Sequence, residues 1–137
     1  MNDKVMLSIH RKYNELIFSG KKTLEIRKTA PRCKGKYIIY MYETKRDGGA
    51  GAVVGFFQSG ITVITDGFGK SLNDEDYDKA RADFARAACL TEDELIIYAN
   101  GATLYGLTVS TPIRFPRPRP LSDFGLTRAP QSWQYLK

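Results

Sequence analysis

The stretch Ser19-Gly20-Lys21-Lys22-Thr23-Leu24-Glu25-Ile26-Arg27 changes its hydrophobic period halfway along. Upstream, Tyr13, Leu16, Ile17 and Gly20 recur at i, i+3, i+4 and i+7, which predicts a helix over residues 11–19. Gly20 then suits the left-handed position just past a helix end. From Thr23 onward polar and apolar residues alternate, the period of a half-buried strand. Leu24 and Ile26 face a core, and Thr23, Glu25 and Arg27 share the opposite face, with Lys22 at the mouth of the strand. Met6 to Ile9, just before the helix, is apolar enough for a first strand.

Downstream the chain keeps adding strands before it adds helices. Residues 37–42 form an apolar, β-branched and aromatic run suited to a central strand. Asp47-Gly48-Gly49 is a turn signal, so residues 45–51 read as a hairpin tip, followed by strands over 53–57 and 61–65. Asn73 is a good helix N-cap, with Asp74, Glu75 and Asp76 in the first turn, where the helix dipole favours acids. Tyr77, Ala80, Phe84 and Ala88 make one apolar stripe. Thr91-Glu92-Asp93-Glu94 opens a second, short helix reaching Tyr98, and Asn100-Gly101 ends it. Residues 104–111 are strand-like. Five of the six prolines lie between Pro112 and Pro130. Arg114, Arg117 and Arg119 alternate with Pro116, Pro118 and Pro120, which suits an extended edge or loop rather than a central strand. Residues 133–136 suit a last short strand. This order predicts a single α+β domain over residues 1–137: a mixed or antiparallel barrel-like sheet with helices packed outside it, not a doubly wound parallel sheet.

Composition narrows the partners. No run approaches the ~20 apolar residues of a membrane helix, and Met1-Asn2-Asp3-Lys4-Val5 does not begin a secretory signal. A soluble, cytoplasmic protein with no membrane partner is expected. Cys33 and Cys89 lie far apart, and His10 is the single histidine. Free thiols, no metal site and no cofactor are the expectation. The net charge of +6 is unevenly spread: residues 1–46 carry +8, residues 47–110 carry −6 and residues 111–137 carry +4. If the two basic ends meet, they make one positive face suited to phosphate. The same lysines also serve as ordinary solubilising charge.

Glu25 and Arg27 stand side by side on one strand face, with Lys22 beside them. A carboxylate flanked by two bases can orient the arginine or accept hydrogen bonds from a base edge. The arginine can grip a phosphate with two prongs. The same run also fits a solvated strand face with a weak ion pair, from which Arg27→Ala would leave folding nearly intact, at about 0–1 kcal/mol. Trp133 could stack a base or close a barrel. Tyr40 and Tyr42 share a strand face and fit either core or cleft. His10 fits a helix-start residue bonding locally. The Pro-Arg run fits a basic rim or a stiff connector. Gly48 to Gly51 lacks the lysine-serine ending of a phosphate loop.

Leu7-Ser8-Ile9, a helix ending in Ser-Gly, Gly20-x-Lys22-x-x-Glu25-x-Arg27 and an apolar strand ending near Tyr42-Glu43-Thr44 together resemble the ASCH domain of the PUA-like superfamily. Asp123-Phe124-Gly125 and Pro130-Gln131-Ser132-Trp133 are similar to the closing segment of its small bacterial and phage members. The resemblance implies a small PUA-like β-barrel, a cleft beside the Glu25 strand and RNA-related work. It also implies that some relatives are enzymes, either ribonuclease-like or hydrolysing N4-acetylcytidine with a threonine, a lysine and a glutamate. Lys22 matches that lysine. Glu25 stands where the threonine would be, and no residue of the 84–95 region is matched to the glutamate. A carboxylate does not replace a lysine-activated threonine.

The expected function is therefore a module that binds RNA or a nucleotide-like fragment in a cleft lined by Lys22, Glu25, Arg27 and Lys45, with Tyr42 and Trp133 as further contacts. The alternative is an enzyme acting on RNA or a modified nucleoside, with Lys22 and Glu25 as acid and base. A third possibility is a protein-interaction module using the acidic middle helix.

Overall fold

Two sheets and three helices make up the computed structural model, which describes residues 3–65 and 75–137. The larger sheet contains β1 (Lys4–Ile9), β3 (Tyr37–Glu43), β4 (Ala52–Ser59), β7 (Ser110–Arg119) and β8 (Trp133–Tyr135), in the order β7-β4-β3-β1-β8. β1 pairs in parallel with β3, and the other pairings are antiparallel. The smaller sheet is antiparallel: β2 (Leu24–Arg27), β6 (Leu104–Thr108) and β5 (Thr62–Thr65), in the order β2-β6-β5.

The helices are α1 (Arg11–Phe18), α2 (Glu75–Ala88) and α3 (Glu92–Ala99). α1 stops where the sequence predicts, and Gly20 takes φ +82°, which lets the chain leave the helix and enter β2. α3 begins on a capping box: Thr91 Oγ1 accepts from the Glu94 amide at 3.0 Å, and the Glu94 carboxylate accepts from the Thr91 amide at 3.0 Å. Asn100 closes α3 in the left-handed conformation. Glu75 and Asp76 do sit in the first turn of α2. The expected cap, Asn73, and Asp74 lie outside the described residues.

Among the described residues the strands do not close into a barrel, contrary to the barrel expected from their order. No backbone ladder joins the two sheets. Where β4 and β6 come near each other, the link is a side-chain contact, Ser59 Oγ to Thr108 Oγ1 at 3.4 Å. The alternation that predicted each strand carries no information about which strands pair laterally.

Three apolar clusters hold these layers. Val5, Leu7 and Ile9 of β1 pack with Ile39 and Met41 of β3, Phe57 of β4 and Ile17 of α1. Leu24 and Ile26 pack with Phe84, Ala85 and Ala88 of α2, Leu95 and Ala99 of α3, and Leu104 of β6. Met6 and Val53 face the far side of the large sheet, where Tyr40, Tyr42, Phe115 and Phe124 gather. β1 is thus buried on both faces, as its largely apolar run, interrupted by Ser8, allows. No helix of the described residues is long and apolar enough to cross a membrane.

Candidate functional site

Alternation puts Glu25 and Arg27 on one face of β2, as the sequence predicts. That face is not solvated. It looks across to the end of β1, to α1, and to the segment leading into β8, with α3 alongside. Lys22 is only 1% exposed and Glu25 only 5%. The turn after α1 fixes the lysine backbone, with the Lys22 amide donating to the Leu16 carbonyl at 3.0 Å. Its Nζ donates to the Ala88 carbonyl at 2.5 Å and lies 3.5 Å from Glu25 Oε1. The Tyr13 ring centroid is 5.0 Å from the same Nζ. Burial pulls the lysine pKa below its ordinary value, and the nearby Glu25 carboxylate works against that pull.

Arg27 completes the row. Its Nη2 donates to Glu25 Oε2 at 2.8 Å and to the Ser8 carbonyl at 2.8 Å. Its Nη1 reaches Ser132 Oγ at 3.2 Å. Lys22, Oε1, Oε2 and Arg27 therefore follow one another in contact order, and the arginine joins β2 to β1 and to the segment before β8. The surface ion pair considered from the sequence is instead a buried brace.

A second polar group stands where the parallel strands end. Ile9 is opposite Glu43 in the β1–β3 register, so the next residues, His10 and Thr44, come side by side. His10 Nδ1 is 3.0 Å from Thr44 Oγ1, and Arg46 Nη1 is 3.1 Å from His10 Nε2. A guanidinium only donates, so Nε2 accepts and the ring proton sits on Nδ1, directed at Thr44. In that tautomer His10 cannot take a proton from Thr44.

These groups surround an open cavity of about 400 Å³. Lys22, Glu25 and Arg27 border it on one side, and His10, Tyr13, Thr44 and Arg46 on another. Leu90, Glu94 and Tyr98 come from the α3 region. Tyr98 carries Lys28 Nζ 5.0 Å from its ring centroid, and burial raises its hydroxyl pKa. Among the described residues no three His, Cys, Asp or Glu side chains gather as a metal site would need.

Of the residues singled out from the sequence, Lys22, Glu25 and Arg27 meet at this cavity, and Lys45, Tyr42 and Trp133 do not border it. The Lys45 stem lies against Gly51 at the hairpin tip. Tyr42 points to the other face of the large sheet. Trp133 packs on the main core and donates its indole N–H to Thr29 Oγ1 at 3.0 Å. The two basic ends do not share the cavity: its cations, Lys22, Arg27 and Arg46, all come from residues 1–46. Of the proline-flanked arginines on β7, Arg114 is held by Glu15 at 2.9 Å and Arg119 by Asp123 at 3.1 Å. Thr23 does not border the cavity either, and its amide is tied to the Ala87 carbonyl at 2.8 Å. Tyr13, Thr44, Arg46, Glu94 and Tyr98 were not singled out as site residues from the sequence, and His10 was read as a local helix-start residue. The Thr91–Glu94 capping box was the one local signal pointing to any of them.

The family model of the ASCH domain matches residues 7–118. The chain belongs to the ASCH domain family. ASCH from Zymomonas mobilis has a similar structure, with a TM-score of 0.77 at 22% identity, over 98% of this chain and 88% of that one. A serine-to-alanine variant of that ASCH protein gives a TM-score of 0.77 at 22% identity, over 100% and 92% of the two chains. The N-terminal domain of Staphylothermus marinus McrB is more distant, with a TM-score of 0.50 at 10% identity over 90% and 79%. At these identities the likeness speaks for the fold. No curated protein matches the chain. ASCH domains are in general RNA-binding and PUA-like.

Proposed function

We propose that this ASCH domain binds single-stranded RNA by taking one unpaired nucleotide into the cavity over Lys22, Glu25 and Arg27. The observation that carries this is the buried Lys22–Glu25–Arg27 row bordering an open cavity. Burying three charged groups is costly unless they are paired and hydrogen-bonded, as these are to one another and to the Ala88 and Ser8 carbonyls, and the row still borders space that a ligand can fill. A volume of about 400 Å³ falls within the usual range for small-ligand pockets. Proteins that read RNA commonly do so at splayed-out bases, with aromatic walls and hydrogen bonds to base edges. Tyr13 and Tyr98 supply such walls. The exposed Arg46 at the rim, with Lys28 beside Tyr98, supplies cations for the flanking phosphates.

A second possibility is an enzyme acting on RNA or a modified nucleoside, favoured by the lowered Lys22 pKa at a cavity. The His10 tautomer and the absence of Thr23 from the cavity weigh against a hydroxyl nucleophile. The test is a titration of short single-stranded RNA at rising salt. Affinity should fall steeply as counterions are released. Arg46→Ala should weaken binding and reduce the salt slope without changing the melting temperature. Binding that is absent at low salt, or indifferent to salt, overturns the proposal.

A further inference from the structure

We infer that the cavity selects guanine, because the row Lys22–Oε1–Oε2 presents donor, acceptor, acceptor in the order that a guanine Watson–Crick edge complements. This rests on the nucleotide-binding proposal above and adds the base. Each Glu25 oxygen has two lone pairs. Oε1 faces Lys22 at 3.5 Å and Oε2 faces Arg27 at 2.8 Å, so each oxygen keeps a lone pair for a ligand. Ala88 takes one of the three Lys22 N–H groups and Glu25 Oε1 a second, which leaves one donor for a ligand.

Guanine offers O6 as acceptor, then N1–H and N2–H as adjacent donors. Laid against the row, O6 meets Lys22, N1–H meets Oε1 and N2–H meets Oε2. The other bases do not fit this order. Uracil has only one donor, N3–H, between two acceptors, and so would set O2 or O4 against a carboxylate oxygen. Cytosine and adenine set a ring nitrogen lone pair against it. Placing acceptor against acceptor costs more than a missing contact, because neither group is satisfied. A guanidinium or amidinium ligand also has two adjacent donors, but it would bring a third positive charge beside Lys22 and Arg27. A neutral purine edge avoids that repulsion.

The experiment is a calorimetric titration of the unmodified protein with GMP, AMP, CMP and UMP, followed by IMP and 1-methylguanosine monophosphate. All carry the same phosphate, so differences report the base. GMP should bind at least about tenfold more tightly than AMP, CMP or UMP, the scale of one charge-assisted hydrogen bond. IMP, which lacks the N2 donors, should bind about tenfold more weakly than GMP. The 1-methyl analogue, which loses the central donor and gains a clash, should bind more weakly still. Glu25→Gln replaces one acceptor with a donor and should abolish the GMP preference. The ligand series decides the matter even if that variant fails to fold. Equal affinities for the four nucleotides, or IMP matching GMP, would overturn guanine selection and leave nucleotide binding standing. No binding by any nucleotide, and none by RNA, would overturn both.

Discussion

Arg27→Ala should be among the more damaging single substitutions in this protein, and its cost can be worked from what the guanidinium holds. The side chain is 13% exposed and its partner carboxylate 7%. It makes a 2.8 Å ion pair to Glu25 and a 2.8 Å hydrogen bond to the Ser8 carbonyl, and it reaches Ser132. Removing one partner of a buried pair costs about 3–5 kcal/mol, because the remaining charge stays buried. Glu25 keeps Lys22, so the lower part of that range, about 3 kcal/mol, is expected. Arg27→Lys keeps the charge but cannot span Ser8 and Ser132 with a flat fork, and should fall between. Arg114→Ala is the control. Its pair with Glu15 is about half exposed on both sides, 48% and 51%, and should contribute only about 0–1 kcal/mol. Urea unfolding of the three variants would read this directly as shifts in midpoint at constant slope. If Arg27→Ala stays within about 1 kcal/mol of wild type, level with Arg114→Ala, the arginine braces nothing.

Leu24→Ala should cost about 2–5 kcal/mol through the cavity left against Phe84 and Ala88, with RNA affinity unchanged in the folded fraction; a loss of affinity at full stability would contradict the division of β2 into a core face and a ligand face. Lys22 should make stability depend on pH. Its folded pKa is lowered from 10.5, so between that lowered value and 10.5 the unfolded chain binds more protons and stability rises with pH. Lys22→Met should remove this rise, read as the difference between the two proteins, because burial raises Cys33 from 9.0 and Tyr37 and Tyr98 from 10.0, and these work in the opposite direction in both; identical pH profiles for the two proteins would show that the lysine is not the source. Purified protein should release no acetate from N4-acetylcytidine, because β2 presents Glu25 to the cavity and not a threonine; turnover detected by chromatography and lost in Glu25→Gln would mean that a carboxylate mechanism operates.

The parts of the structure set by neighbouring residues were legible in the sequence. Gly20 in its left-handed position, the Thr91–Glu94 capping box and the two faces of Leu24-Glu25-Ile26-Arg27 each depend on spacings of four residues or fewer. What covers a face does not. Glu25 is buried because β1, α1 and the Ser132 segment close over it, and Ser132 is more than a hundred residues away along the chain. His10, Thr44 and Arg46 met for the same kind of reason, through a parallel pairing that brings Ile9 level with Glu43. A lone histidine at a helix start carries no mark of that pairing. Lys45, Tyr42 and Trp133 have suitable chemical types, but type alone does not say that the hairpin tip, the far face of the large sheet and the main core take them.

The proline-bearing strand β7 has a further effect. It forms one margin of the large sheet, and an unpaired strand margin is a template on which another copy of the chain can add itself. Growth of that kind needs a regular row of amide donors and a flat ladder. β7 breaks the row at Pro112, Pro116 and Pro118, sets Arg117 between two of them, and shifts register twice against β4. On this side the protein is protected against stacking into fibres, and the protection is built into the same ten residues that close the sheet.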